Sequence, residues 1–365
     1  MAIETPLRTE HEKLGATMAE FFGCNLPAHY GDPGREYKFA RETAGLVDKN
    51  YRSLLSLTGA DRVRYLNAML TNDIRGLAPG QGTISLLLNP QGRILAEVET
   101  LALPDRLLCV SHAMIRERLV STLEKFIIMD DVTLDDITDR MGTLALEGAA
   151  TPALVRELCG LDLDSLPELG HAEAKVSEIA CRIVHRTPGG VPAAEFIVER
   201  QHLLALWNLL LEKTRQHGGG PVGYDALNIL RLEAGIPWYS YDFDENQIPH
   251  QAALEATHIN FTKGCYTGQE IVERVRSQGN VQRRRVMLRF SGDVIPPRGE
   301  PLFAGGAEVG FVTRAARSPK FASVIGMGYV RREQIEPGSK VTWKGGEATV
   351  IESPGAPQSA GTSCH

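Results

Sequence analysis

Residues 263–270 read Lys-Gly-Cys-Tyr-Thr-Gly-Gln-Glu (KGCYTGQE), and they place a thiol just ahead of a segment with helical apolar spacing. Thr267 and Glu270 have the spacing of a capping box, which predicts Thr267 as the N-cap of a helix running through Ile271, Val272 and Val275. Cys265 then lies two residues before the cap, with Lys263 nearby. The positive end of a helix and a neighbouring ammonium both favour thiolate, so Cys265 and Lys263 are the catalytic candidates. The same residues also suit a Gly-rich turn around a small side chain, because Gly264 and Gly268 flank the thiol.

The chain around this stretch has 365 residues, enough for two or three domains. Hydrophobic residues make up 43% and charged residues 23%, an ordinary globular balance. A formal charge of -6 argues against a nucleic-acid binder held by long-range attraction. The opening MAIETPLRTEHEKLG lacks both an apolar core and an Arg-rich, acid-poor character, and no apolar run is long enough to span a bilayer; the expected location is the cytoplasm, with no membrane partner. Cys24, Cys109, Cys159, Cys181, Cys265 and Cys364 are widely spaced, without zinc, disulfide-framework or ferredoxin-type patterns.

Local signals divide the chain. Thr9 and Glu12 form a second capping box before Leu14, Met18, Phe21 and Phe22 at helical spacing, predicting an amphipathic helix. Thr58 with Asp61 opens another through Val63, Leu66 and Leu70, and Ser111 is placed to cap a helix carrying Ile115, Leu119, Leu123 and Phe126. ISLLLNP and RILAEVETLAL are strand-like runs joined by the turn Asn89-Pro90-Gln91-Gly92. Short β-like runs fill 176–198, followed by helices in RQHLLALWNLLLEK and YDALNILRLEAG. Beyond Gly279 the Val-rich runs with frequent Gly and Pro predict a small antiparallel barrel, and the residues after Pro354 read as a loose tail.

The KGCYTGQE octapeptide resembles the signature of the YgfZ family, folate-binding proteins related to the T protein (aminomethyltransferase) of the glycine cleavage system. TPLRTEHEKLGATMAEFFG is similar to the opening of T proteins, the Thr71-Asn72-Asp73 region resembles both families, and Gln91-Gly92-Arg93 is similar to the YgfZ group. The resemblance implies an α+β, three-module T-protein-like fold with a central folate cavity and a C-terminal β-barrel domain. It divides the chain into two intertwined modules over 1–278, a barrel over 279–354 and a tail over 355–365. It also implies tetrahydrofolate as cofactor, with iron–sulfur client proteins served through Cys265 as the leading function. The alternative is a glycine-cleavage aminomethyltransferase acting on a lipoyl carrier protein.

Site residues follow by position. T proteins carry a pair of aspartates in the NPQGRILAEVE hairpin, one of them catalytic, and the matching residues here are Ala96 and Glu97. That departure is expected to disfavour aminomethyl transfer by the usual route, since an added methylene shifts the carboxylate. Glu195, in HRTPGGVPAAEFIV, matches a glutamate that grips the pterin; two carboxylate oxygens suit adjacent N–H donors. Arg231, in a helix resembling the T-protein R-D-x-L-R-L-E-A-G pattern with Tyr224 where arginine is usual, is a candidate for the folate glutamate tail. Arg93 is a candidate for a folate carboxylate, and Trp238 with Tyr239 for stacking on its rings; a solvated hairpin arginine, a helix ion pair and core packing are the competing readings. Arg274, Arg276, Arg283, Arg284, Arg285 and Arg289 form a basic run that suits a polyglutamyl folate, an acidic partner or tRNA, or simply a solvated face.

Overall fold

Asn89 closes the hairpin that anchors the first sheet. In the computed structural model, which describes residues 2–279 and 281–353, its Oδ1 accepts from the backbone N–H of Gln91 (3.0 Å) and Arg93 (2.9 Å). The flanking strands Gly82–Leu88 and Ile94–Ala102 then pair antiparallel, with Leu86 opposite Glu97 and Ile84 opposite Glu99. Leu107–His112, Arg52–Thr58 and Thr133–Asp136 complete a five-stranded sheet in that order. One face packs on the helices Arg62–Met69 and Arg116–Lys125 through Leu66, Ile94, Ala96, Val98 and Leu119.

A second sheet of six strands runs in the order His171–Val176, Ile179–Arg186, Ala193–Glu199, Met141–Glu147, Gly45–Asp48, Gly220–Pro221. Its strand Gly45–Asp48 precedes the first sheet in sequence and the rest follow it, so the two modules interleave. The helices Thr151–Cys159 and Leu203–Gln216 bury Leu154, Leu206 and Trp207 against it. Leu54, Val110, Val184 and Ile197 form an apolar contact between the two sheets, and charged side chains gather beside it. Burial of each such aliphatic side chain contributes about 1.5–3 kcal/mol.

The C-terminal region is a closed six-stranded barrel, Arg283–Phe290, Ser323–Arg331, Ala307–Ser318, Pro301–Ala304, Lys340–Trp343 and Gly346–Ile351 around the ring. Closure leaves no unpaired edge. Gly310 is required there, because a Cβ at that position would come within 1.8 Å of the Tyr329 carbonyl oxygen. The helix Tyr224–Glu233 packs between the second module and the barrel, with Leu232 against Met287, Ile325 and Met327.

Four local expectations are corrected. The N-terminal helix spans only Arg8–Lys13 and lacks the predicted cap: Leu7 is the N-cap and Glu12 pairs with Arg8. Met18 and Phe21 lie on the strand Thr17–Phe21, so a three-stranded sheet contact overrides their helical spacing. Ser111 is a strand residue whose hydroxyl donates to the Glu97 carbonyl, and the following helix starts at Arg116 after a 3₁₀ turn. Asp61 is itself the N-cap of Arg62–Met69, and its carboxylate accepts from the Asp131 N–H (2.9 Å), so the Thr58/Asp61 box does not form. The tail expected over 355–365, with Cys364, lies outside the described residues. Among the described residues no helix is long and apolar enough to cross a membrane.

Candidate folate site

The Lys263–Glu270 loop is built differently from the capping-box expectation. Gly268, at φ 83°, is the N-cap of the helix Gln269–Gln278, with no side-chain cap from Thr267. Glycine is needed because a Cβ there would sit 2.6 Å from the Asn89 carbonyl oxygen, where the loop meets the hairpin tip. Lys263 is engaged by backbone carbonyls. Its Nζ donates to the carbonyls of Asn67, Leu70 and Asn72 (2.8 Å to the last), satisfying the open C-terminal end of the helix Arg62–Met69. Burial lowers its pKa to about 8. Cys265 is a free, exposed cysteine on this loop.

The charged centre lies elsewhere. Along Ile94–Ala102 the side chains alternate, so Ala96 and Val98 enter the core while Glu97 and Glu99 share the opposite face. Arg52, two strands away in the same sheet, donates to Glu99 (Nη1 to Oε1, 3.1 Å) and to Glu195 on the second sheet (Nη2 to Oε1, 2.8 Å). Arg186 pairs with the other oxygen of Glu99, and Lys49 with Glu147 (2.8 Å). Glu195 is 3% exposed. Burial pushes its pKa up, but the Arg52 and Arg186 charges outweigh that and hold it below the ordinary carboxylate value; Glu99 is held down in the same way.

At the open side of this cluster, Glu97 faces His258, with Oε1 3.1 Å from Nε2. The Glu97 side chain is 15% exposed, more than Glu99 or Glu195. Burial raises its pKa, yet the His258 hydrogen bond and the charges of His258, His112 and Arg52 lower it further, so the group is a carboxylate at neutral pH. His112 stacks between Tyr51 and Tyr239, 5.4 Å from each ring, and burial drives its pKa down to about 4. Arg52 Nε and His112 Nδ1 are buried without a hydrogen-bond partner. Buried polar atoms of that kind are uncommon and cost about 1–3 kcal/mol each unless a ligand or water meets them.

The predicted site residues are therefore dispersed. Glu195 joins the charged centre. Arg231 is 1% exposed and its guanidinium is occupied by Asp242, by Asn228 Oδ1 (2.8 and 3.0 Å) and by the Trp238 ring (4.8 Å), leaving it a structural hub instead of a ligand for the folate tail. Tyr224 is fully buried, with its hydroxyl donating to the Asp48 carbonyl (2.7 Å), and Trp238 packs edge-on to Phe22 and Tyr224; both are core contacts here. Arg93 is exposed at the hairpin tip, donating to the Asn246 carbonyl. The basic run is largely neutralised: Arg274 pairs with Glu270, Arg276 with Glu273 and Arg284 with Glu255, while Arg285 is buried and donates to the Ala252 carbonyl. Two surface cavities, of about 490 Å³ beside Asn208 and Arg215 and about 200 Å³ beside Arg41 and Lys320, share no lining residue with the charged centre.

Comparison with known proteins decides the family. The GCVT N-terminal domain model matches residues 7–263, and the glycine cleavage T-protein C-terminal barrel domain model matches residues 283–354. The chain belongs to the glycine cleavage T-protein family. The aminomethyltransferase of Herpetosiphon aurantiacus is 29% identical over 96% of this chain and 97% of its own length, and that of Halothermothrix orenii 27% over 93% and 94%. The glycine cleavage system aminomethyltransferase T of Bartonella henselae superposes with a TM-score of 0.89 at 26% identity, covering 97% of this chain and 98% of that one. The T-protein-like fold with its C-terminal barrel is thus the fold of this chain.

These relatives overturn the function placed first. Near-full-length T-protein relatives are aminomethyltransferases, and they give no support to iron–sulfur assembly or to client proteins of that kind. The likeness of Lys263–Glu270 to YgfZ proteins does not extend to family membership shown by the same comparisons. Tetrahydrofolate, the cofactor expected from the sequence, is the folate that T-protein homologues use. Sequence reasoning missed Arg52, Glu99, Arg186, His112 and His258. Glu97 and Glu99 were readable as two carboxylates on one strand face by their spacing of two; the arginines and histidines converge only through tertiary structure.

Proposed function

We propose that the protein is a tetrahydrofolate-dependent aminomethyltransferase of the glycine-cleavage type. The observation that carries this reading is the ionised, partly exposed Glu97 beside a buried cluster of Arg52, Glu99, Glu195 and Arg186 with hydrogen-bonding atoms to spare. A pterin fits the donor set: Glu195 would accept from its amino and ring N–H groups, and Arg52 Nε and His112 Nδ1 would meet its polar edge. Tetrahydrofolate supplies two neighbouring amine nitrogens that take up the one-carbon unit. Glu97 is the group suited to accept a proton from such an amine, since its lowered pKa keeps it in the accepting form. A positioned base of this kind contributes about 10²–10⁴-fold to rate.

The substitution of Ala96 does not remove this function. Ala96 is 1% exposed and faces the Leu66–Leu119 core, whereas Glu97 faces the cluster, so a carboxylate is retained on the face that matters. The donor is a carrier protein presenting the aminomethyl group on a lipoyl thioether. Calorimetric titration with tetrahydrofolate, followed by a glycine-cleavage exchange assay on the same preparation, tests the reading. Binding together with exchange is expected; binding without exchange refutes the transferase.

A further inference from the structure

We propose that His258 is a positioning residue for Glu97, held in place by a frame that Thr71, Asn72 and Lys263 build. This rests on the transferase reading for its meaning in the reaction, though the geometry stands without it. His258 ends the short helix Glu255–His258 and is itself buried. Its Nδ1 lies 2.7 Å from Thr257 Oγ1, much the shorter of that hydroxyl's contacts, the Leu254 carbonyl being 3.4 Å away. With the Thr257 hydroxyl donating to Nδ1, the ring proton sits on Nε2, and Nε2–H donates to Glu97 Oε1 at 3.1 Å. The imidazole therefore fixes one carboxylate oxygen and leaves Oε2 as the one available to a reacting amine.

The frame explains residues that otherwise look like a plain turn. Thr71 Oγ1 donates to the His258 carbonyl (2.6 Å) and accepts from the Leu86 N–H (2.8 Å). Leu86 is the cross-strand partner of Glu97, so Thr71 ties the histidine backbone to the strand that registers the carboxylate. Asn72 Nδ2 spans from the Ile84 carbonyl (3.0 Å) to that of Thr257 (3.4 Å). Lys263 locks the same turn from the other side through the Asn67, Leu70 and Asn72 carbonyls. Three sequence motifs thus converge on one imidazole–carboxylate contact.

The test compares His258→Ala, His258→Gln and Glu97→Gln with the wild-type protein. For methylene-tetrahydrofolate formation, His258→Ala is expected to lower kcat about 10- to 100-fold with KM for tetrahydrofolate within about threefold, as for lost orientation of a base. His258→Gln, which still offers an N–H, recovers most of that rate. Adding His258→Ala to Glu97→Gln costs no further rate, because the histidine acts through the carboxylate. Independently of activity, ¹³C NMR of the Glu97 carboxyl carbon reports its titration. The groups facing it are His258, His112, Arg52 and Glu99. In His258→Ala the midpoint moves up toward the ordinary glutamate value. An unmoved midpoint, a kcat within twofold of wild type, or additive losses with Glu97→Gln would overturn the proposal. A moved midpoint in a protein without transferase activity would leave the positioning intact and refute only the function.

Discussion

Arg231→Met separates a structural arginine from a folate ligand. Arg231 is 1% exposed and Asp242 lies fully buried beside it, and Asp242 also accepts from the Trp238 N–H (2.9 Å) and from Thr313 Oγ1 of the barrel (2.5 Å). Tyr329, also in the barrel, donates to the Asp242 carbonyl (2.8 Å), so the pair joins the barrel to the rest of the chain. Removing one member of a buried ion pair leaves the other charged and desolvated, which costs about 3–5 kcal/mol. Against a typical domain stability of about 5–15 kcal/mol that is a large fraction, and it corresponds to a drop of about 6–20 °C in Tm at roughly 2–4 °C per kcal/mol. Denaturant and thermal unfolding by circular dichroism should show this loss, with tetrahydrofolate affinity at low temperature within about twofold of wild type. Asp242→Asn should be destabilising as well, and the double variant less so than the sum, because the two residues share one contact. A stability loss below about 1 kcal/mol together with a tenfold or greater loss of folate affinity would refute the reasoning.

Glu195→Gln should weaken tetrahydrofolate binding about 10- to 150-fold, the loss of about 1.5–3 kcal/mol from charge-assisted hydrogen bonds, measured by calorimetry; unchanged affinity would count against the pterin contact. His112 has a folded pKa of about 4 against an ordinary value of 6.5, so the unfolded chain binds the extra proton first and stability falls as pH drops from 6.5 toward 4. His112→Phe keeps an aromatic ring between Tyr51 and Tyr239 and should flatten the unfolding-free-energy slope in that window by up to about 1.4 kcal/mol per pH unit, read from denaturant titrations. Lys263→Met should cost about 1–3 kcal/mol by uncapping three carbonyls, whereas Cys265→Ser, an exposed change, should stay within about 0.5 kcal/mol and leave transfer intact, both checked by unfolding and rate.

Much of the architecture was legible because it rests on local rules. The Asn89–Gly92 turn between two apolar runs gave the hairpin, Gly235 marked the end of the helix Tyr224–Glu233, and Val-rich runs after Gly279 gave the barrel strands. Thr17–Phe21 misled because its residues satisfy a helical period that pairing with Cys24–His29 overrides. The capping box at Thr267 failed through a tertiary contact: only Gly268 fits against the Asn89 carbonyl, and it takes the cap position. Glu195 was singled out by likeness, but its neighbours Arg52, Glu99 and Arg186 come from three strands of two sheets, and no spacing in one sequence brings those together. Arg231 was misplaced because burial and the Asp242 pairing are invisible along the chain.

The most direct measurement is the rate at which wild-type protein and Glu97→Gln convert an aminomethyl-loaded lipoyl carrier and saturating tetrahydrofolate into methylenetetrahydrofolate and ammonia. The account predicts turnover by the wild type and a loss of about 10²–10⁴-fold in Glu97→Gln, with tetrahydrofolate still bound. Wild-type protein that binds the folate yet releases no ammonia, or a Glu97→Gln variant that turns over at the wild-type rate, would contradict it.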